Sequence, residues 1–144
     1  MSQTVIYSHT YNYRLLAGHS GIFYPLVPVE LLYGKNAIWR GDVLLDSGAN
    51  YPVFDAEIAE RLGINLKKSP RILASGLGGY QMLYQQKMGL RIGPIQKPLQ
   101  CIVCFIEALN KRGAPNVIGR IGVFDHLKIG FDEAERKVYI AVNV

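Results

Sequence analysis

The chain contains no long apolar run: no stretch approaches the roughly 20 residues that a membrane-spanning helix requires. Residues 1–5 also lack the basic-then-apolar order of a secretory signal. We therefore expect a cytoplasmic protein with no membrane partner. A chain of 144 residues, 49% of them hydrophobic, is long enough to fold as one domain with a buried core.

Metal and cofactor motifs are also absent from the sequence. The two cysteines, Cys101 and Cys104, lack the second ligand pair that a zinc site would need. The three histidines form no ligand or triad spacing, and there is neither a phosphate-binding loop nor a dinucleotide fingerprint. We expect no metal and no cofactor. A spacing of three in a strand sends side chains to opposite faces, so we expect two separate buried thiols.

The basic residues do not form a block. Lysine and arginine number 16 against 11 acidic residues, a formal charge of +5, but they are scattered along the chain. Scattered charge is typical of a solvated surface, so we expect no nucleic-acid partner. A weaker alternative is a β-barrel that binds anions or nucleic acid, which the basic balance and the nine tyrosines would favour.

Apolar alternation and turn signals predict a β-rich chain with one or two short helices. Strands are expected over residues 23–33, 37–46, 71–74, 80–92, 99–106, 116–118, 127–131 and 137–142. The second of these strands could break at Gly41-Asp42. Asp55 is a predicted N-cap for a helix that ends at Leu62, and a second short helix is expected over 119–126. This set of elements favours an all-β fold built as a small closed barrel.

The beginning of the chain differs from the rest in composition. Residues 1–21 are rich in tyrosine, histidine and serine, which indicates an irregular or edge-pairing N-terminal arm. The more regular pattern over residues 22–144 predicts the folded domain. No internal repeat or low-complexity stretch divides this domain further.

One apolar strand runs directly into an acid, in Leu44-Leu45-Asp46-Ser47-Gly48-Ala49-Asn50. Such a strand would carry Asp46 to the edge of a core, where an ionised carboxylate is costly unless it is hydrogen-bonded or shares a proton. Ser47 and the amides of a turn at Gly48 could supply those hydrogen bonds. An ordinary Asp-Ser-Gly turn at the end of a strand explains these residues equally well.

A second feature is a glycine-rich turn, Gly76-Leu77-Gly78-Gly79, between two predicted strands. Its sequence predicts a hairpin with a mobile tip that could close over a bound molecule. An ordinary solvent-exposed hairpin is the alternative interpretation.

Together with these two features, Asn116-Val117-Ile118-Gly119-Arg120 gives three landmarks in a fixed order. In that order the chain resembles the retropepsin-like aspartic proteases over roughly residues 25–140, and it looks most like the cellular, prokaryotic-type members. The family pattern is Asp-Thr/Ser-Gly-Ala, then a glycine-rich flap, then two apolar residues followed by Gly and often Arg. The resemblance implies the acid-protease barrel and an aspartic endopeptidase that activates water without a cofactor.

Aspartic proteolysis needs two carboxyl groups, one to take a proton from water and one to polarise the carbonyl. The chain has a single Asp-Ser-Gly, so a homodimer would have to bring two copies of Asp46 together. The resemblance implies Ser47 and Gly48 as dyad support and Gly119 and Arg120 as structural neighbours. It implies substrate contacts from Ala49, Asn50, Leu77, Gly78, Gly79 and Tyr80. A noncatalytic dimerisation or peptide-binding module with the same fold remains the alternative.

The chain departs from the retroviral pattern at Asn50. Many retroviral members carry an acid there, paired with the arginine that corresponds to Arg120. A neutral hydrogen bond at best is expected here in place of that salt bridge. Residues 137–144 are predicted to form a strand that could cap the dimer.

Overall fold

A computed structural model of the chain describes residues 4–16, 18, 20–76, 79–95 and 97–142. In these ranges it has twelve strands, one α-helix and three short 3₁₀ helices. The strands are β1 (His9–Asn12), β2 (Arg14–Leu15), β3 (Phe23–Tyr24), β4 (Leu26–Tyr33), β5 (Ala37–Leu45), β6 (Val53–Asp55), β7 (Arg71–Gly76), β8 (Gly79–Ile92), β9 (Leu99–Ile106), β10 (Val117–Ile118), β11 (Leu127–Asp132) and β12 (Lys137–Val142). Helix α1 is Ala56–Arg61, and the 3₁₀ helices are Leu66–Lys68, Asn110–Arg112 and Phe124–His126. Within the described ranges, none of the helices has the length and apolar character that a bilayer crossing requires.

The main sheet has seven strands in the order β4-β5-β10-β6-β9-β8-β7, and β4 pairs with β8 as well as with β5. Strand alternation determines which residues form its inner face, because every second side chain points to the same side of the sheet. Val27, Val29 and Leu31 on β4 are almost completely buried, as their spacing predicts. The protein is mostly β, and these strands surround one apolar core.

Strand β5 runs unbroken from Ala37 to Leu45 and pairs with β4 along its length. The break considered at Gly41-Asp42 is therefore wrong. A side chain at Gly41 would collide with the indole ring of Trp39, so the glycine makes room for that ring. The ring in turn packs edge-on against Phe54, with centroids 5.6 Å apart. Here glycine serves side-chain packing rather than a turn.

The predicted helix after Asp55 is confirmed as α1. The Asp55 carboxylate accepts a hydrogen bond from the Glu57 amide at 2.9 Å, which caps the first turn. Gly63 follows with φ +81°, a left-handed conformation that ends the helix. The second helix, expected over 119–126, is only partly present, because the left-handed Gly122 (φ +87°) interrupts it and leaves a 3₁₀ helix over Phe124–His126.

The arm and the C-terminal strands form a second sheet, in the order β1-β12-β11. Strand β1 pairs with β12 from His9↔Ile140 to Asn12↔Lys137, so this part of the arm pairs as a strand. Residues 137–140 of β12 are thus paired on both sides within the chain, by β1 and by β11. That the segment 137–144 caps a dimer stays a prediction. Within the described residues, the outer edge of β11 carries no strand.

Candidate active site

Strand β5 delivers Asp46 to the surface at the end of the sheet, as the sequence predicts. The Asp46 amide donates to the carbonyl of Ile118 at 3.0 Å, and the carbonyl of Asp46 accepts from the Ala49 amide at 3.2 Å. One carboxylate oxygen, Oδ1, accepts from the Gly48 amide at 2.9 Å. The side chain is partly buried and the loop holds it in one orientation. A carboxylate fixed in this way is suited to acid–base chemistry at its free oxygen.

The rest of the loop is open to solvent in the single chain. Ser47, Gly48 and Asn50 are exposed, whereas Ala49 is partly buried. Gly48 lies so close to Asp46 that an added Cβ would be 3.2 Å from Oδ1. Within the chain, this loop therefore presents an open surface on which another molecule could rest.

The segment after β10 supports the loop from behind. A Cβ at Gly119 would lie 2.8 Å from the carbonyl carbon of Ala49 and would collide with its oxygen, so only glycine fits. The amides of Arg120 and Ile121 donate to the carbonyls of Ala49 and Asn50 at 2.9 and 2.7 Å. The packing reason inferred for glycine at position 119 matches this contact.

The side chain of Arg120 is exposed, and its link to the loop is through the backbone. Within the described residues, its guanidinium makes no hydrogen bond or ion pair to the loop. In the described part of the chain, Asn50 makes no side-chain hydrogen bond to Arg120, which is the neutral contact considered in place of the salt bridge. The main-chain carbonyl of Asn50 instead accepts from the Ile121 amide. The loop is therefore held by main-chain groups on both sides.

Strand β10 lies beside β5, parallel to it, with Val117 opposite Leu44 and Ile118 opposite Leu45. Its other side pairs with β6, antiparallel, at Val53. The chain between β5 and β6, which carries the candidate site, therefore spans the end of β10. This arrangement explains why two landmarks separated by about half of the sequence meet at one place.

A buried polar cluster that the sequence analysis did not identify fixes the start of β10. The Asn116 side-chain oxygen accepts from the Asp55 amide at 2.9 Å and from Asn110 Nδ2 at 3.2 Å. The second carboxylate oxygen of Asp55 accepts from the Asn110 amide at 2.8 Å. Asp55 and Asn116 are 5% and 8% exposed, so these bonds are shielded from water. A polar residue immediately before the apolar pair Val117-Ile118, of which Ile118 is buried, is the only local signal for it.

The predicted flap is a hairpin of β7 and β8, with Ser75 opposite Tyr80 and Gly76 opposite Gly79. Gly79 has φ +93°, which favours glycine. Leu77 and Gly78, the other two predicted tip contacts, lie outside the described residues. Tyr80 is 76% exposed, so in the single chain it is available for contact.

One face of this hairpin is apolar and exposed. Leu73 lies opposite Met82, and Tyr80 is two residues from Met82, so the three side chains share a face. Tyr84, on the same face, lies opposite the fully buried Phe105. The exposed face of the hairpin therefore lies on the same side of the sheet as the core, past the point where the core ends. The sequence analysis missed Leu73 and Met82, because only the strand register assigns them to this face.

The two cysteines are buried and free, as expected. Burial raises the pKa of Cys101 to about 12 and that of Cys104 to about 11. Both thiols are therefore protonated at neutral pH and poor nucleophiles. Across the described ranges, no cluster of three or more histidine, cysteine, aspartate or glutamate side chains could hold a metal ion.

Comparison with solved structures identifies the fold. The chain is similar to a retropepsin-like aspartic protease from Rickettsia conorii, with a TM-score of 0.60 over 92% of this chain and 98% of the other. The two sequences are 15% identical, so the likeness shows the retropepsin-like fold and not the activity. No protein-family model matches the chain. No curated protein matches it either.

Proposed function

We propose that this protein is an aspartic endopeptidase whose active site is shared across a homodimer. The observation that carries the proposal is the geometry of Asp46. Its carboxylate stands at the end of β5, where Val43 and Leu45 are buried. It is oriented by the Gly48 amide and lies on a loop packed against Gly119. The retropepsin-like fold supports the same assignment.

The chemistry requires a second carboxyl group, and the proposed source is Asp46 of a partner chain. Two carboxyl groups in contact share one proton, because both cannot be ionised at short range. The ionised group takes a proton from water as the water oxygen attacks the peptide carbonyl, and the protonated group gives its proton to the carbonyl oxygen. The carbon–nitrogen bond then breaks as the nitrogen takes the proton that came from water, while a hydroxyl group of the tetrahedral intermediate gives its proton to the other carboxylate and restores the shared proton.

The neighbouring residues have supporting roles in this proposal. Ser47 and Gly48 would hold the two loops in register across the dyad. Ala49 and the exposed Asn50 would contact the extended peptide, with Arg120 at the outer side of the loop. The exposure of Ser47, Gly48 and Asn50 in the single chain is consistent with surfaces that a partner and a substrate cover.

The flap would bind the substrate through its apolar face. Leu73, Tyr80 and Met82 are 63%, 76% and 43% exposed, an unusual density of large apolar groups on one hairpin face. Such a face fits a peptide with apolar side chains near the cleaved bond. The predicted tip contacts at Leu77, Gly78 and Gly79 would add main-chain hydrogen bonds.

The partner in this proposal is a second copy of the chain. Because residues 137–140 of β12 are paired on both sides, the outer edge of β11 is the proposed place for a partner strand. The cytoplasmic location and the boundary between arm and domain stay predictions.

The test compares the wild type with Asp46→Asn on a diverse peptide mixture from about pH 3.5 to 7.5, a range that brackets a coupled carboxyl pair. Cleavage should fall by about 1,000-fold in the variant, because amide cannot replace carboxylate as a general base. Glu60→Gln, which makes the same carboxylate-to-amide change at an exposed position on α1, is the control and should retain activity.

Sedimentation of both proteins accompanies the assay. A folded dimer without cleavage at any pH would favour the noncatalytic module. A monomer at all concentrations would remove the second carboxylate and contradict the mechanism. Cleavage that survives in Asp46→Asn would assign the activity to other residues or to a contaminant.

A further inference from the structure

We propose that a cavity between the two sheets binds a small anionic amphiphile, with an aliphatic carboxylate of medium chain length as the model ligand. The cavity has a volume of about 660 Å³. This volume lies within the range of small-molecule sites. None of the predicted active-site residues lines it, so the proposal does not depend on the proposed protease activity.

The walls of the cavity are mainly aliphatic. Ile92 and Leu127, which are 2% and 8% exposed, form its buried part. Ile95 and Leu99 add partly buried apolar surface, and Val142 is 47% exposed at the opening. Binding of a hydrocarbon chain to a concave apolar surface is favourable, because it removes apolar area of both from water.

The polar groups around the cavity are complementary to an anion. His9, Lys97 and His126 all line it, whereas no carboxylate is found in the lining. Asp125 lies outside the lining, with Oδ1 3.6 Å from His126 Nε2, and offsets part of the charge there. Lys97 is exposed and supplies a fixed positive charge at the rim. Gln100 offers an amide that can donate a hydrogen bond to a carboxylate.

The location of the cavity explains why it persists in the folded chain. One side comes from β1, β11 and β12 of the terminal sheet, and the other from the end of β8 and the start of β9. A ligand with an apolar chain and a charged head would occupy the gap with its head towards Lys97.

The experiment titrates the full chain with sodium decanoate below its micelle threshold. Calorimetry measures affinity, and amide chemical shifts in a nitrogen-15 correlation spectrum locate the site. Saturable binding is expected, with shifts concentrated at Leu99, Leu127 and Val142. Decan-1-ol, which has the same chain without the charge, should bind about two- to fivefold more weakly, as is typical of a partly exposed ion pair.

Two variants separate the apolar and charged parts of the site. Leu99→Trp fills the cavity and should weaken decanoate binding by more than about tenfold, because the chain loses its buried surface. Lys97→Gln should weaken it about two- to fivefold without changing the affinity for decan-1-ol. Lys128→Gln is the matched control, because Lys128 is an exposed lysine on β11 outside the lining.

Absence of saturable binding, or shifts centred elsewhere, would overturn the proposal. Equal affinities for the carboxylate and the alcohol, or equal effects of Lys97→Gln and Lys128→Gln, would contradict the anionic preference. If Leu99→Trp does not fold, the shift map of the wild type decides the location.

Discussion

The loop of Asp46 and the flap hairpin are both glycine-containing turns, yet the protein supports them in opposite ways. Main-chain hydrogen bonds and close packing hold the loop, through Ile118, Gly119 and Arg120. Residues 79–83 of β8, between the tip of the flap and Tyr84, pair only with β7, and the apolar face of the flap is exposed. A group that performs chemistry needs one fixed position, whereas a surface that binds varied peptides needs freedom to adapt.

The largest expected effect comes from breaking the support of the loop with Gly119→Ala. The added Cβ would meet backbone atoms of Ala49, which cannot move without shifting Asp46. We expect the free energy of unfolding to fall by about 2 to 3 kcal/mol, as in overpacked cores. The rate of peptide cleavage should fall by more than the loss of folded protein explains, because Asp46 is displaced in the molecules that remain folded. Urea unfolding and peptide cleavage at a temperature where both proteins are folded measure the two effects.

The control for this variant is Gly34→Ala. Gly34 has φ +63° with open space around it, so the substitution tests backbone strain without a collision. Its expected cost is about 1 kcal/mol, with turnover unchanged. Equal effects of the two variants on turnover would show that the contact with Ala49 does not position the loop.

Local signals explain which parts of this comparison could be predicted from the sequence. Asp46 ends an apolar run, and Asp55 precedes a helical pattern, so neighbours in sequence determine both. The glycines of the flap likewise predict a hairpin. Each of these features depends on a few adjacent residues, and the structure has each of them where it was expected.

The remaining features depend on residues that are distant in sequence. The contacts of Asn116 with Asp55 and the pairing of β12 with β1 require the register of strands far apart in the chain. The assignment of Leu73 to the apolar face of the flap has the same origin. Residue types alone do not give such registers, which the packing of the whole core determines.

The second prediction sharpens the role of the flap with Tyr80→Ser. Because Tyr80 is 76% exposed, its loss should change the free energy of unfolding by less than about 0.5 kcal/mol. If the apolar face covers substrate, kcat/KM should fall about tenfold, chiefly through a higher KM. The reason is that the same contact area is lost in the substrate complex and in the transition state. Chemical denaturation and steady-state kinetics on one peptide provide the two measurements.

Ile102→Ser is the matched control for the flap. Ile102 is 43% exposed on β9, where it lies opposite Lys87 and on the other face of the sheet from Tyr80. Its substitution should leave kcat/KM unchanged. If Tyr80→Ser and Ile102→Ser have the same kinetics, the apolar face of the flap is not a substrate surface.

The smallest effect concerns the link between the two regions. Glu30, on β4, bridges Arg40 on β5 at 2.6 Å and Arg91 on β8 at 2.7 Å, so it joins the strand of the loop to the strand of the flap. Hydrogen bonds from Arg40 and then Arg91 lower the pKa of Glu30, although burial partly opposes them. Glu30→Gln should therefore cost about 1 kcal/mol at neutral pH, because the arginines are partly exposed.

The pH dependence of this cost distinguishes a charge effect from a packing effect. A lowered carboxyl pKa means that the stabilisation is fully present above the unfolded value, near 4.5, and is lost as pH falls through the folded value. The difference in the free energy of unfolding between wild type and Glu30→Gln should thus be constant from neutral pH to about pH 5.5. It should shrink below the pKa of the unfolded state. Glu57→Gln, at an exposed helix pair with Arg61, should show a smaller difference at every pH. A difference for Glu30→Gln that does not change with pH would mean that side-chain packing, rather than charge, connects the strand of the loop to the strand of the flap.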